Sequence, residues 1–70
     1  MQTTTTAAKD LTIGDRILIG RTAHTVLRAA PLAEAGLVQL TLSRYVESKH
    51  DYVSADKYMS ADKPVKLIMP

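Results

Sequence analysis

The fold is decided by residues 37–43, which read Leu37-Val38-Gln39-Leu40-Thr41-Leu42-Ser43. Successive side chains of an extended chain point to opposite faces, so Val38, Leu40 and Leu42 share one face. This period of two is typical of a strand with one face buried and the other in water. The stretch therefore predicts a β-strand whose apolar face belongs to the core.

Four further segments have the composition of short strands. They are residues 16–19, 24–29, 51–54 and 65–69, all rich in β-branched or other apolar residues. Residues 20–23 would join the first two as a hairpin, while residues 31–36 and 44–51 are predicted to be loops, the former with one helical turn. Five strands at a spacing of roughly ten residues predict an all-β fold, a small antiparallel barrel with no long exposed edge.

The tetrapeptide Ser-Ala-Asp-Lys occurs twice, at residues 54–57 and 60–63. Ser and Asp accept hydrogen bonds from the free amides at the start of a helical turn, and Pro64 disfavours helix in the residue before it. The repeat therefore predicts one short 3₁₀ or α turn before the last strand, with Tyr58 and Met59 against the core. A repeated binding element is the alternative, although repeat architectures need about three copies to bury a shared core.

Length and composition restrict how the fold is stabilised. The chain has 70 residues and no Cys, so disulfides and thiolate metal sites are excluded and the core must be one compact cluster. The absence of Cys fits a cytoplasmic protein, and the apolar runs are far shorter than the about 20 residues of a membrane helix. Residues 1–9 lack the apolar segment of a signal peptide and are predicted to be a disordered tail before a domain of residues 10–70.

The start of this domain has a recognisable order of residues, Gly14-Asp15-Arg16-Ile17-Leu18-Ile19-Gly20 followed by His24-Thr25-Val26. It resembles the opening hairpin of KOW-type and elongation-factor-P-type barrels. The resemblance implies a five-stranded SH3-like barrel over residues 10–70. Residues 31–36 carry no lysine where elongation factor P-like domains present one, and the chain has no Trp. Neither that factor's role nor the proline-peptide binding of signalling SH3 domains is therefore expected.

Catalytic and metal-binding patterns are missing from the sequence. His24 and His50 are the candidates for a general base near neutral pH, but His50 and its neighbour Asp51 would point to opposite faces of a strand. As metal ligands the histidines would need a further donor, such as Asp51 or Asp56, without a recognised spacing. The isolated glycines form neither a phosphate-binding loop nor a nucleophile elbow. We therefore expect a non-catalytic protein that uses no cofactor.

Cationic residues are concentrated on the first predicted hairpin, in a chain of formal net charge +2. Alternation would place Arg16 with Leu18 on an outward face. It would also place His24, Val26 and Arg28 together on an outward face of the second strand. The predicted nucleic-acid-binding residues are Arg16, Arg21, His24, Arg28, Arg44 and Lys49, which would contact phosphates through their charge. The alternative is a solvated surface of mixed charge, because Asp15, Glu47 and Asp51 lie nearby in the sequence.

The aromatic residues of the chain are Tyr45, Tyr52 and Tyr58. They flank the fourth predicted strand and could line a groove for a peptide, a base or a modified side chain. Alternatively, they would complete the core and keep their hydroxyls at its rim. Both interpretations are open from the sequence.

Two functions are compatible with these patterns. The preferred hypothesis is a non-catalytic module that binds DNA or RNA within a larger ribonucleoprotein or transcription assembly. The alternative is a protein-interaction or assembly module, an adaptor or homo-oligomer such as a phage or mobile element encodes. It rests on the apolar residues 67–69 and on Leu18 and Leu27, which fall on strand faces opposite their apolar neighbours. The expected partner is nucleic acid or a protein, and not a membrane.

Overall fold

The computed structural model describes residues 2–70, which form one antiparallel sheet of six strands that does not close into a barrel. The strands are β1 (Thr3–Ala7), β2 (Arg16–Ile19), β3 (Thr22–Leu32), β4 (Leu37–Val46), β5 (Asp51–Ser60) and β6 (Pro64–Ile68). Their order in the sheet is β1-β6-β2-β3-β4-β5. Short 3₁₀ turns cover Ala8–Asp10, Ala33–Ala35 and Glu47–Lys49. None of the helical segments in this range has the length and apolar character to cross a membrane.

The core is centred on β4, as the alternation predicts. Leu40 is fully buried, Val38 and Leu42 are almost so, and β4 pairs with both β3 and β5 along most of its length. The other buried residues come from the remaining elements and are Ala8, Leu11, Ile17, Val26, Met59 and Val65. We call the side of the sheet that carries these side chains the inner face, and the opposite side the outer face. The core described by residues 2–70 is aliphatic throughout, apart from the thioether of Met59.

The all-β class and the position of β2 are confirmed, but several strands are longer than the sequence predicts. β3 continues through Pro31 and Leu32, and β4 continues to Val46. The first hairpin closes with a two-residue turn, Gly20 and Arg21, rather than a four-residue connection, because Ile19 pairs directly with Thr22. Gly20 has φ 60°, the left-handed conformation that such tight turns require and glycine adopts without a steric penalty.

Within the stretch that the sequence predicts to be a disordered tail, residues 3–7 form a strand, and Met1 lies outside the described residues. β1 pairs antiparallel with β6 from Thr3 opposite Ile68 to Ala7 opposite Pro64. Ala8, which follows directly, is buried in the core. The strand count therefore rises from five to six. Threonine is β-branched and favours strands, and here its pairing with β6 outweighs the polarity that suggests a tail.

The prediction of a helical turn over the two Ser-Ala-Asp-Lys copies is wrong, because residues 54–57 lie inside β5 and pair with β4. The second Ser-Ala-Asp-Lys copy instead starts at the last residue of β5 and forms the turn into β6, where the Lys63 amide donates to the Ser60 carbonyl at 3.0 Å. One tetrapeptide therefore takes two conformations. Pairing along β4 overrides the capping preference of the first copy, since local propensity is weak against a long ladder.

Leucine-to-alanine substitutions at buried and exposed strand positions should differ sharply. Leu40 is 0% exposed and Leu27 is 46% exposed. We expect Leu40→Ala to lower the free energy of unfolding by about 2–5 kcal/mol, because it leaves a cavity in a small core. Leu27→Ala should change it by only about 0.5 kcal/mol. Chemical denaturation measures both losses, provided that the slope of the free energy of unfolding against denaturant concentration is unchanged. Equal losses would contradict this assignment of the core.

Hydrogen exchange should show that β1 is paired. The Met69 amide donates to the Gln2 carbonyl at 2.9 Å and the Ala8 amide to the Lys63 carbonyl at 3.0 Å. Hydrogen-bonded positions alternate in an antiparallel ladder, so Thr4 and Thr6 bond to β6 while the amides of Thr3 and Thr5 face away from it.

We expect the amides of Thr4 and Thr6 to exchange at least about tenfold more slowly than those of Thr3 and Thr5 in native-state NMR measurements. Uniformly fast exchange over the four threonines would contradict the pairing of β1 and support the prediction of a disordered tail.

Candidate nucleic-acid interface

A bulge in β3 divides the predicted cationic strip between the two faces of the sheet. Val26 pairs with Leu42, whereas Arg28 pairs with Thr41, the very next residue of β4. The extra residue, Leu27, reverses the alternation, so Val26 is buried on the inner face and Arg28 is exposed on the outer face. The expectation that His24, Val26 and Arg28 share an outward face is therefore wrong.

The other predicted cations also distribute over both faces. Arg16 lies opposite Thr25 on the outer face, and His24 lies opposite Ile17 on the inner face, where its Nδ1 donates to the Thr22 carbonyl at 3.1 Å. Arg44 has inner-face register, opposite Val53. The remaining two predicted cations are in turns, Arg21 between β2 and β3 and Lys49 between β4 and β5.

A depression of about 270 Å³ on the outer face brings Arg16 together with two of the tyrosines. It is lined by Arg16, Ala23, Thr25, Ser43, Arg44, Tyr45 and Tyr52, and we call it the tyrosine depression. β2, β3, β4 and β5 all contribute to it. The side chain of Arg16 therefore adjoins two aromatic ones on this side of the sheet, whereas the side chain of Arg44 has inner-face register.

The tyrosines lie on the surface and do not belong to the core. Tyr45 and Tyr52 are directly opposite each other on β4 and β5, and their side chains are 50% and 68% exposed. Their ring centroids are 5.3 Å apart at an interplanar angle of 72°, an edge-to-face contact. One ring holds the other in place while both remain open to solvent.

Tyr58 stands apart from this pair. It is 57% exposed and shares the outer face, where it lies opposite Gln39. Six residues of strand separate it from Tyr52, a distance of about 20 Å. The three tyrosines therefore do not line a single groove, and Tyr45 with Tyr52 is the unit that can act together.

The arginines near the depression are free of ion pairs. In the part of the chain that the structure describes, the one salt bridge joins Lys9 to Asp62, with 3.4 Å between Nζ and Oδ1. The nearby carboxylates have other partners: Asp56 accepts from the Thr41 hydroxyl at 2.7 Å, and Asp51 accepts from the Tyr52 amide at 2.8 Å. The charges of Arg16, Arg28 and Arg44 therefore remain available to an external anion.

A second basic concavity, which the sequence does not predict, runs beside β5. Its lining includes Lys57, Lys63 and Lys66 at one end and His24 with Arg44 at the other. We call it the β5 groove. The sequence contains one signal for it, because both copies of Ser-Ala-Asp-Lys end in lysine, but only the folded sheet places Lys57 and Lys63 at one concavity.

No group of three or more His, Cys, Asp or Glu side chains within residues 2–70 is arranged to hold a metal ion. His50 is exposed in the turn after Glu47–Lys49, with φ 49°. Its neighbour Asp51 bonds to the amide of Tyr52. No protein-family model, curated protein or solved structure matches the chain, so the functional argument rests on the geometry of these surfaces.

The contact between Tyr45 and Tyr52 should appear as a coupling free energy. We expect a double-mutant cycle of Tyr45→Ala and Tyr52→Ala to give about 0.5–1.5 kcal/mol, the usual value of an aromatic pair beyond its buried area. Chemical denaturation of the two single variants and the double variant measures it. Gln39 and Tyr58 face each other on the same ladder and form the control cycle, whose coupling should be smaller. A larger value in the control would contradict the assigned pair.

Proposed function

We propose that the protein is a non-catalytic module that binds single-stranded nucleic acid, DNA or RNA, at the tyrosine depression. The observation that carries the proposal is the exposed Tyr45–Tyr52 pair with Arg16 beside it. Aromatic rings stack on bases irrespective of sequence, and arginines pair with the phosphates between those bases. An exposed sheet surface offers both kinds of contact without a change of fold.

The magnitudes favour the tyrosines as the main source of affinity. Stacking of one base on an aromatic side chain contributes about 1–3 kcal/mol. A solvent-exposed ion pair contributes about 0.2–1 kcal/mol and weakens as salt rises. Arg16 and Arg28 would therefore orient the backbone and speed association, whereas Tyr45 and Tyr52 hold the bases. Lys49 and Arg21 would extend the contact from the neighbouring turns.

The proposal includes the SH3-like architecture. The opening hairpin resembles that of such barrels, and β2 to β6 supply the five strands that the resemblance implies. The pairing of β6 with β2, with Ile17 opposite Leu67, brings the last strand beside the first of these five. We regard the sheet as an open form of this barrel with β1 added at its edge. A cytoplasmic location is part of the same proposal and agrees with a chain that has no Cys.

A protein-interaction or assembly role is the second candidate. The apolar residues that suggest it are spread over the molecule: Leu67 packs against the core, Leu18 is half-buried and Leu27 is exposed at the bulge. They do not line a common concavity. The long free edge of β5 favours this role more strongly, because unpaired strand edges recruit other strands.

Binding of oligothymidine tests the proposed function. A fluorescein-labelled strand of about four nucleotides, short enough to occupy one site, should bind at low salt as measured by anisotropy. We expect Tyr52→Ala to weaken binding about tenfold through the loss of stacking. Arg16→Gln should lower the slope of log affinity against log salt by about 0.7, the release from one phosphate of a single strand. Oligouridine of equal length separates RNA from DNA preference.

Tyr58→Ala is the matched control, since it removes the same side chain from the same strand and the same face. It should leave the affinity for the short oligonucleotide within about twofold. Absence of binding at low salt, or equal losses for Tyr52→Ala and Tyr58→Ala, would contradict the proposed site.

A further inference from the structure

The backbone of β5 has a free side along its whole length. Within residues 2–70, β5 is the last strand of the sheet and pairs with β4 alone. The Ala61 amide donates to the Gly36 carbonyl at 2.9 Å, one step beyond the ladder. Alternation then assigns the hydrogen bonds with β4 to the odd-numbered residues of β5. It leaves the amides and carbonyls of Ser54, Asp56 and Tyr58 on the free side, together with the carbonyl of Tyr52, whose amide donates to the Asp51 carboxylate.

The free side of β5 forms one wall of the β5 groove. The groove consists of two cavities of about 310 and 240 Å³ that share Ile19 and Lys57. Five consecutive residues, from Val53 to Lys57, line the second cavity. Because their side chains alternate between the two faces, a surface that touches all five must run along the backbone edge. The opposite wall comes from the end of β2 and the start of β6.

The floor of the groove is apolar and its rim is cationic. Ile19, Leu42, Met59 and Val65 belong to the core or pack against it. The cations with inner-face or turn positions are His24, Arg44, Lys57 and Lys63, while Lys66 has outer-face register opposite Leu18. The carboxylate of Asp56 has outer-face register and accepts from the Thr41 hydroxyl at 2.7 Å. It therefore does not neutralise this rim.

We propose that the β5 groove binds an extended acidic segment of another protein, which adds to β5 as a further strand. The free amides and carbonyls of β5 supply the main-chain hydrogen bonds of strand addition. The side chains of the added strand that face inward are acidic: their carboxylates meet the cations and their methylene groups contact the floor, while the side chains between them face outward. The site is distinct from the tyrosine depression, and the ligand belongs to a different chemical class.

The chemistry of the groove argues against the other occupants. A phosphate backbone would use the cations but neither the apolar floor nor the hydrogen-bonding pattern of a strand edge. A second copy of the chain would need an acidic segment, and nowhere in its sequence do two acidic residues stand two positions apart. Charge complementarity therefore selects a different, acidic protein.

Lys57 explains how such a site could be selective. It lies opposite Leu40 and so has inner-face register, although it stands on the edge strand. A charged side chain that points inward on an edge strand opposes pairing with apolar strands, because the added strand would bury it. An acidic residue of the partner removes this penalty by pairing with the ammonium group, so the same lysine rejects one class of strand and accepts another.

A capped peptide of alternating Glu and Val tests the proposal. A length of about eight residues spans about 26 Å and covers the groove. With a fluorescein label, it should bind the full chain in anisotropy measurements. The corresponding Lys-Val peptide, and the Glu-Val peptide methylated on its backbone amides, should each bind at least about tenfold more weakly. The first tests charge, and the second tests strand addition.

Two variants locate the site on the protein. Lys57→Gln should weaken binding of the Glu-Val peptide about threefold or more, whereas Lys49→Gln, in the turn away from the groove, should not. Ser54→Pro removes an amide on the free side of β5 without breaking a bond to β4, a change that edge strands tolerate. With the fold verified by circular dichroism, it should weaken the peptide about tenfold.

Four results would overturn the proposal. The first is no binding of the Glu-Val peptide, and the second is equal binding of its N-methylated form. The third is displacement of the peptide by oligothymidine, where the affinity for oligothymidine itself falls more with Lys57→Gln than with Tyr52→Ala. The fourth is a dimer of the chain that Ser54→Pro converts to monomer. The third result assigns the groove to nucleic acid and the fourth to a second copy. Because Tyr52 lies outside the groove lining, the peptide and oligothymidine arms fail independently.

Discussion

The structure depends on the burial of one side of β4. Val38, Leu40 and Leu42 fill the interior from the strand that pairs with neighbours on both sides, and every other core residue packs around them. Aliphatic side chains do this work in a chain that has no Phe or Trp. All three tyrosines are therefore left for the surface. The composition of the core thus decides which residues are available for recognition.

The two faces of the sheet differ in what they can recognise. The outer face presents aromatic rings beside arginines, which suits unstacked bases joined by phosphates. The groove beside β5 presents cations over an apolar floor next to free backbone, which suits an extended chain with acidic side chains on one face. The backbone of Arg44 borders both concavities, but its side chain has inner-face register and so belongs to the β5 groove. The two sites therefore do not share a charged side chain.

The sequence predicts the all-β class and the core of β4 because apolar alternation reports directly on burial. It does not reveal β1, since a threonine strand has no apolar face and depends on β6, about sixty residues away in the sequence. The first Ser-Ala-Asp-Lys copy is predicted wrongly as a turn, because its strand conformation likewise depends on pairing with a distant segment, β4. The tyrosine depression is partly predicted, because Arg16, Tyr45 and Tyr52 are all candidates from the sequence and the fold brings them together. The β5 groove is not predicted, because Lys57 and Lys63 come together only through the turn between β5 and β6.

The bulge at Leu27 has a consequence for how this sequence can evolve. Residues before and after it lie in opposite phases of the strand, with Val26 inside and Arg28 outside. Loss of Leu27 would regularise the ladder and leave every side chain of β3 on its present face, because Val26 and Arg28 already pair with consecutive residues of β4. Loss of a residue well away from the bulge would instead bring the side chains on one side of the deletion to the wrong face, so deletions in β3 should be accepted at the bulge and be rare elsewhere.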